Sequence, residues 1–278
     1  MSGTVDLRYT VGAGNNIFQY IYARLVANAQ QANLSTSWLD VLKVEAEYYD
    51  YDRGLPLVKI GQDIDLHQYL SPREPANYQI RTYPEDYTLF KPHMDEIREW
   101  FEDIETSHPN DLVFHLRLGD RLLLANEYEA CMKTEPEAYI EAIKMFEYDN
   151  LHIVTDMPSW TNLTCAKLDA MRFHTKPPMN QRIDLNIAIK YHNELIEKLS
   201  ELNPIVHCGN PIKDDFDFMR SFGQILFKHS TLAWWAAALS HANKVGVYGP
   251  WRPIKGAKNK NLGQTDFDGW FQWGLSNG

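Results

Sequence analysis

Short apolar segments alternate with amphipathic ones in the second half of the chain, and this alternation constrains the fold more than any other feature. Segments with the length and composition of buried strands occupy 111–116, 151–155, 205–208, 224–227 and 244–248. Apolar residues recur with helical spacing over about 136–146, 159–169, 184–202, 214–222 and 230–241. Strands that alternate with helices predict an α/β fold with a parallel, doubly wound sheet, which binds ligands at the carboxyl ends of its strands.

The first half of the chain begins in the same way and then becomes irregular. A strand over 5–10 leads through a glycine turn, 12–16, into a helix whose apolar positions start at Ile17. The stretch 35–92 is rich in Tyr, Asp, Pro and Gly, which predicts short strands and loops. A helix over 95–105 follows.

The loop-forming residues 107–110, Ser-His-Pro-Asn, predict a domain boundary. The chain has 278 residues, which is enough for two modest domains with cores of their own. We therefore expect one domain over 1–108 and a second over 109–278.

The charge of the chain limits its partners. It carries 37 acidic and 27 basic residues, a formal net charge of −10, and this disfavours general binding of nucleic acid, which needs clustered Lys and Arg. One or two well-placed cations and a helix N-terminus are still sufficient to bind a single nucleotide.

The cysteines and the N-terminus bear on localisation. Cys131, Cys165 and Cys208 form no metal-binding spacing, and their odd number predicts free, buried thiols in a reducing compartment. The first ten residues contain no apolar signal core, and the longest apolar run, 232–239, is shorter than the ~20 residues of a membrane helix. We expect a cytoplasmic protein, bacterial or viral, without a membrane span.

Segment 114–121, Phe-His-Leu-Arg-Leu-Gly-Asp-Arg, lies at the end of the first predicted strand of the second half. Arg117 offers a bidentate fork for a pyrophosphate, and His115 offers a hydrogen bond to a phosphate or a ribose. Gly119 permits a sharp exit from the strand. An ion pair between Arg117 and Asp120 that closes the loop is the alternative interpretation.

Two predicted helices begin with residues suited to an anion or a sugar hydroxyl. The glycines of 12–16 permit close approach to the helix N-terminus, although a tight structural turn explains them equally well. Ser230 and Thr231 open the helix 230–241. Their hydroxyls predict either a phosphate site or simple N-capping.

These segments resemble bacterial α-1,2-fucosyltransferases. In chain order, the similar motifs are 12–20 (GAGNNIFQY, similar to GLGNQMFQY), 115–120 (HLRLGD, similar to HxRRGD), 154–157 with Trp160 (similar to FSDD…W), 215–219 and 230–237 (similar to DxxxM…SSFSWWAA), and 249–251 (similar to a terminal aPxxW). The motifs extend over nearly the whole chain, except for about 35–95.

The resemblance implies a GT-B-like fold, in which two Rossmann-like domains face each other across a cleft. It also implies an inverting, metal-independent transfer of fucose from GDP-fucose to a glycan hydroxyl, with 1–108 on the acceptor side. Carried over by position, the donor-binding residues are Gly14, Asn15, His115, Arg117, Asp156, Asp215, Ser230 and Thr231. Arg117 would support the leaving group, and Asp120 and Glu127, with Glu129, are our candidates for the general base.

Departures from the motifs leave alternatives open. Leu118 replaces the second Arg of HxRRGD, and Asn16 replaces the usual Gln of the glycine loop. A donor such as UDP-xylose or a rhamnose nucleotide is therefore an alternative. Asp215 and Asp217 have the Asp-x-Asp spacing of metal-dependent transferases but lie on a predicted helix, so we expect no metal and no cofactor. A non-catalytic glycan-binding protein and another nucleotide-dependent enzyme are the remaining hypotheses.

Overall fold

The computed structural model describes residues 3–10, 12–61, 64–123, 134–170, 184–249, 260–262 and 265–274. The chain divides into two compact units. Unit 1 contains Met1–Asp103 and Pro250–Thr265, and unit 2 contains Ile104–Gly249 and Asp266–Gly278. His108, where the sequence-based division ended the first domain, is the first residue of a strand of unit 2. No local pattern of residues indicates that a late segment belongs with unit 1.

Unit 1 is built on a parallel sheet. Its main elements are β1 (Thr4–Leu7), α1 (Ala13–Gln30), β2 (Asn33–Thr36), β3 (Leu57–Ile60), β4 (Asn77–Ile80) and α2 (Met94–Glu99). The strands lie in the order β2-β1-β4-β3, with every pair parallel. A second, two-stranded parallel sheet pairs β5 (Glu85–Asp86) with β11 (Lys260–Asn261). Short 3-10 turns occupy Asp40–Leu42, His67–Leu70, Tyr87–Leu89 and Lys91–His93.

Helix α1 begins four residues earlier than its apolar pattern predicts. Gly12 is the N-cap in an extended conformation, and the segment from Ala13 to Asn16 forms the first turn of the helix. The prediction of a glycine turn over 12–16 is therefore wrong. The apolar spacing locates the buried face, on which Ile17 and Ile21 are fully buried, but a first turn without large apolar residues carries no such signal.

Unit 2 is also α/β. Its elements are β6 (His108–Leu116), α3 (Pro136–Ile143), β7 (Leu151–Thr155), α4 (Cys165–Ala170), α5 (Leu185–Ser200), β8 (Ile205–Cys208), α6 (Ile212–Arg220), β9 (Phe222–Phe227), α7 (Thr231–Ala238), β10 (Lys244–Tyr248) and β12 (Trp270–Trp273). The six strands are parallel throughout, in the order β12-β10-β9-β6-β7-β8. The predicted parallel sheet is confirmed for this half of the chain.

Successive side chains of β6 point to opposite faces of the sheet. Leu112, Phe114 and Leu116 belong to a core that also contains Leu195 and Leu199 of α5. The residues between them, Val113 and His115, lie on the other face. Trp234 and Trp235 of α7 are fully buried, as expected for core residues.

Several sequence-based predictions need correction. Helix α2 is shorter than expected, α4 begins six residues later than expected, and β11 and β12 were not predicted at all. Cys165 is exposed and Cys208 is only half-buried, so the expectation of buried thiols is wrong for these two; Cys131 lies outside the described residues. Among the described helices, none is long and apolar enough to cross a membrane.

Candidate functional site

The carboxyl ends of β6 and β9 form the switch point of the unit 2 sheet. From β6 the chain continues to β7 and β8 on one side, and it returns to β9 on the other side of β6. Ligands of open parallel sheets bind in the crevice at such a point. A cleft opens there, and its described lining residues are Leu116, Arg117, Leu118, Arg121, Leu122, Tyr139, Tyr191, Lys228 and His229.

The described lining residues of this cleft are basic or neutral. Arg117, Arg121 and Lys228 are basic, and none of the nine described lining residues is acidic. Two tyrosine hydroxyls add hydrogen-bonding groups. This combination suits a ligand that carries negative charge and several acceptor oxygens, such as a phosphate group.

Asp156, which directly follows β7, holds the loop that carries Arg117. Its Oδ1 accepts the backbone N–H groups of Leu118 at 2.8 Å and Gly119 at 3.0 Å. Its Oδ2 lies 4.0 Å from Nε of Arg117. The loop is therefore closed by Asp156, a residue that we had expected to line the nucleotide pocket.

The arrangement requires glycine at position 119 because there is no room for a side chain beside the Asp156 carboxylate. A Cβ at this position would lie 2.3 Å from Oδ2 of Asp156, closer than real Cβ contacts permit. The sequence-based reason for Gly119 was a sharp turn, whereas the structure shows that the close approach of the Asp156 carboxylate requires it.

Lys228, the first residue after β9, is buried among aromatic rings at the base of the cleft. Its Nζ lies 4.6 Å from the ring centroid of Tyr248 and 5.4 Å from that of Tyr139. It also donates hydrogen bonds to Oγ1 of Thr134 and to the hydroxyl of Tyr139, the latter at 3.4 Å. Ring faces attract a cation, so this surrounding stabilises a buried ammonium group.

The hydroxyl network continues from Lys228 toward α5. The hydroxyls of Tyr139 and Tyr191 lie 3.3 Å apart, and Tyr191 donates to the backbone oxygen of Thr134 at 3.1 Å. Buried polar networks of this kind rigidify the groups they connect. The Lys228 ammonium is thus held in one position at the switch point.

His229 follows Lys228 with a backbone φ of 43°, in the left-handed region that non-glycine residues seldom adopt. Its ring packs edge-on against Tyr248, with centroids 4.9 Å apart. Strained conformations of this kind persist where the surrounding structure holds them, and they cluster at functional sites. Here the strain allows the chain to turn from β9 into α7.

His115 lies on β6 one residue before the strand ends, and it is buried. Burial, together with the charge of Arg117, lowers the pKa of His115 to about 3, so its imidazole is neutral at neutral pH. Its Nδ1 has no hydrogen-bond partner among the described residues.

Asp215 lies in the first turn of α6 and is largely buried. Its Oδ1 accepts a hydrogen bond from Nδ2 of Asn210 at 3.0 Å. Burial raises the pKa of Asp215, and the charges of Asp214 and Asp156 raise it further.

Ser230 is the N-cap of α7, and its Oγ accepts the backbone N–H of Ala233 at 3.2 Å. Its side chain is fully buried, and Thr231 is nearly so. Of the two interpretations of Ser230, capping is the one the contacts show.

Gly14 and Asn15 belong to unit 1, at the carboxyl edge of its sheet, in the first turn of α1. The side-chain oxygens of Asn15, Asn16 and Gln19 are buried without a hydrogen-bond partner among the described residues, and so is Oγ1 of Thr82, two residues beyond β4. Because buried acceptors are normally paired, this edge suits a ligand that donates hydrogen bonds, such as a sugar hydroxyl.

The candidate general bases are not placed. Asp120 lies in the 3-10 turn Gly119–Leu123, but its side chain, like Glu127 and Glu129, is outside the described part of the structure. Among the described lining residues only Arg117 was a predicted site residue, and Lys228, Tyr139 and Tyr191 were not predicted. Lys228 had a signal, namely a charge directly after an apolar strand, whereas Tyr139 and Tyr191 come from helices and had none.

The fold and site define an α/β protein with two parallel sheets and a basic, hydroxyl-rich cleft at the switch point of the larger sheet. Searches against protein-family models, curated proteins and solved structures found no match.

Proposed function

We propose that the protein is an inverting glycosyltransferase that binds the diphosphate of a nucleotide sugar in the cleft at the β6–β9 switch point. The observation that carries the proposal is the convergence of Arg117, Arg121 and Lys228 on that cleft. A diphosphate is the ligand whose negative charge and oxygen acceptors match three cationic donors.

The leaving group explains why fixed cations matter for catalysis. When an acceptor hydroxyl attacks the anomeric carbon, the bond to the nucleotide breaks and the departing diphosphate gains negative charge. Arg117 and Lys228 stabilise that charge, and they do so best when they are held before the reaction begins. Asp156 positions Arg117 through the loop backbone, and the aromatic rings around Lys228 position its ammonium group.

The same residues make a divalent metal unnecessary for the transfer in this proposal. Three basic side chains supply the positive charge that a metal ion supplies in metal-dependent transferases. We therefore expect transfer to proceed in the presence of a chelator.

The acceptor and the general base complete the proposal. The GT-B-like arrangement implied by the resemblance assigns the acceptor to unit 1, where the buried amide oxygens of Asn15 and Asn16 suit sugar hydroxyls. Asp120 and Glu127 remain the candidate general bases. GDP-fucose is the donor we favour, and UDP-xylose or a rhamnose nucleotide is the alternative.

Thermal stabilisation by GDP and by UDP, measured side by side with EDTA present, tests the proposal. A ligand that binds only the folded state raises Tm by an amount that grows with the logarithm of its concentration relative to Kd. We expect one of the two nucleotides to raise Tm of the wild type and of Arg53→Ala, an exposed control in unit 1. Arg117→Ala should lose the shift while its Tm without ligand stays close to that of the wild type.

The pattern of shifts distinguishes the hypotheses. A shift with GDP alone supports a GDP-sugar donor, and a shift with UDP alone moves the donor to a UDP-sugar. Release of free nucleotide from the corresponding sugar nucleotide then measures turnover. If neither nucleotide at millimolar concentration raises Tm, or if Arg117→Ala keeps the full shift, the proposal is wrong and the non-catalytic hypothesis is favoured.

A further inference from the structure

A second group of polar side chains lies at the opposite, amino-terminal end of the unit 2 sheet. It consists of His108 and Asp111 of β6 and His152 of β7. One potential ligand atom of each residue lies within 4.8 Å of those of the other two. The atoms nearest to Oδ2 of Asp111 are Nδ1 of His108 and Nε2 of His152. Histidine nitrogen and carboxylate oxygen are the ligands of mononuclear zinc sites.

The distances in this group fit a tetrahedral ion. Oδ2 of Asp111 is 3.2 Å from Nδ1 of His108 and 3.5 Å from Nε2 of His152. Two ligands of tetrahedral zinc, each about 2.0–2.1 Å from the ion, are separated by about 3.3 Å. Hydrogen bonds from two imidazole N–H groups to one carboxylate oxygen give nearly the same distances between nitrogen and oxygen. A metal ion could therefore take the place of the two N–H protons without a large movement of the side chains.

The outer contacts of the group leave the ligand atoms available and orient them. Asp111 accepts both N–H groups of Asn150 with Oδ1, each at 3.0 Å, so Oδ2 is the oxygen turned toward the histidines. Nδ1 of His152 lies 3.0 Å from Nε2 of His207 on β8, which suits the usual arrangement in which a metal-bound histidine donates its second N–H.

Packing fixes the rings further. The ring of His108 stacks on Phe222, with centroids 4.4 Å apart and planes 11° apart. The rings of His152 and His207 also stack, at 5.3 Å and 13°. The side chain of His108 is 30% exposed, whereas that of His152 is 8% exposed, so the group is open to solvent on the side of His108. An ion can therefore enter from that side.

We propose that His108, Asp111 and His152 bind one zinc-class divalent transition-metal ion, with water as the fourth ligand and His207 as the hydrogen-bond acceptor for His152. His108 precedes Leu116 by eight residues on β6. The pairing with β9 shows a bulge between His108 and Leu112, so the length is taken along β9, from Phe222 beside His108 to Lys228 at the switch point, which is about 20 Å at ~3.3 Å a residue. The site is therefore separate from the cleft and does not depend on the proposed function. It connects β6 and β7, so the bound ion stabilises the folded protein.

Zinc titration of untagged, chelator-treated full-length protein tests this proposal, with a competing chromophoric chelator as the readout. We expect one zinc ion per chain for the wild type and for His67→Ala, a control in unit 1. We expect zinc to bind more than about 100-fold more weakly to His108→Ala and Asp111→Asn. Loss of a direct ligand lowers metal affinity more than loss of a residue that only hydrogen-bonds to a ligand. His207→Phe should weaken binding by about 10- to 100-fold.

Two further measurements distinguish a specific metal site from a cluster of side chains that only hydrogen-bond to one another. Cobalt(II) should give the visible absorption of a tetrahedral ion in the wild type and not in His108→Ala. Zinc should raise Tm of the wild type and leave that of His108→Ala unchanged. Circular dichroism confirms that each variant is folded. If the wild type binds no zinc, or if both His108→Ala and Asp111→Asn bind it like the wild type, the group is only a hydrogen-bonded cluster and the proposal is overturned.

Discussion

Oδ1 of Asp156 lies 2.8 Å from the backbone nitrogen of Leu118, a contact that joins the ends of two neighbouring strands, β7 and β6. The same oxygen also accepts the N–H of the next residue, Gly119, at 3.0 Å. The position of Arg117 therefore depends on a carboxylate 39 residues later in the chain.

Gly119→Ala should displace the Asp156 carboxylate, because the added Cβ would lie 2.3 Å from its Oδ2. We expect a loss of about 1 kcal/mol in the free energy of unfolding from weakened hydrogen bonds to the loop. The nucleotide-induced rise in Tm should fall in the same variant. Urea denaturation and thermal shift measure both.

Gly61→Ala is the control, since no atom of the described residues lies within 4 Å of a Cβ there. Its stability should stay within a few tenths of a kcal/mol of the wild type. If Gly119→Ala matches this control in both stability and nucleotide binding, the carboxylate is not held as the distances indicate.

Lys228→Met should abolish or strongly reduce the nucleotide-induced Tm shift while leaving Tm without ligand unchanged or higher. Methionine has a similar length and keeps the contacts with the rings of Tyr139 and Tyr248, but it removes a buried charge. Loss of ligand binding without loss of stability is the outcome expected for a binding residue.

Lys244→Met is the matched control for Lys228→Met. Lys244 also contacts aromatic rings, those of Phe146 and Phe271 at 4.9 and 5.8 Å, but it lies at the amino-terminal end of β10. It should retain the nucleotide shift. A purely structural role for Lys228 would instead appear as a lowered Tm and an unchanged shift.

His115→Gln should make stability less dependent on pH below neutrality. Folding lowers the pKa of His115 to about 3, so between the ordinary pKa of ~6.5 and 3 the unfolded chain binds a proton that the folded protein does not. This group therefore lowers stability as pH falls through 6.5, and its effect levels off below 3.

The variant lacks that proton, so its loss of stability from pH 7 to 5 should be smaller by about 2 kcal/mol. Urea denaturation at a series of pH values in that range gives the two curves. Parallel curves for the variant and the wild type would show that His115 is not a neutral, buried histidine.

Ser230→Ala and Ser230→Gly separate capping from ligand binding at the start of α7. Removing the bond to the backbone N–H of Ala233 should cost about 1 kcal/mol in Ser230→Ala, and only a few tenths in Ser230→Gly. Both variants should keep the nucleotide shift because Ser230 is fully buried. A folded Ser230→Gly protein that no longer binds nucleotide would instead assign the hydroxyl to the ligand.

The larger sheet could be predicted from the sequence because its strands and helices have strong local periods. Three predicted strands, 151–155, 205–208 and 244–248, match β7, β8 and β10 residue for residue. Helix ends were less predictable, and β12 was missed although its two tryptophans are apolar. Its strand pairs with β10 across more than twenty intervening residues, and no local pattern records such a pairing.

The amino-acid sequence by itself determined the α/β class, the parallel sheet of unit 2 and the position of Arg117 at a strand end, since periodicity and strand length are local properties. Only the tertiary structure decided what surrounds Arg117. The surrounding side chains come from four different parts of the chain: Asp156, Tyr139, Tyr191 and Lys228. They meet because β6 and β9 are neighbours at the switch point. The histidines of the proposed metal site are likewise 44 residues apart, in His108 and His152, and strand pairing alone brings them together.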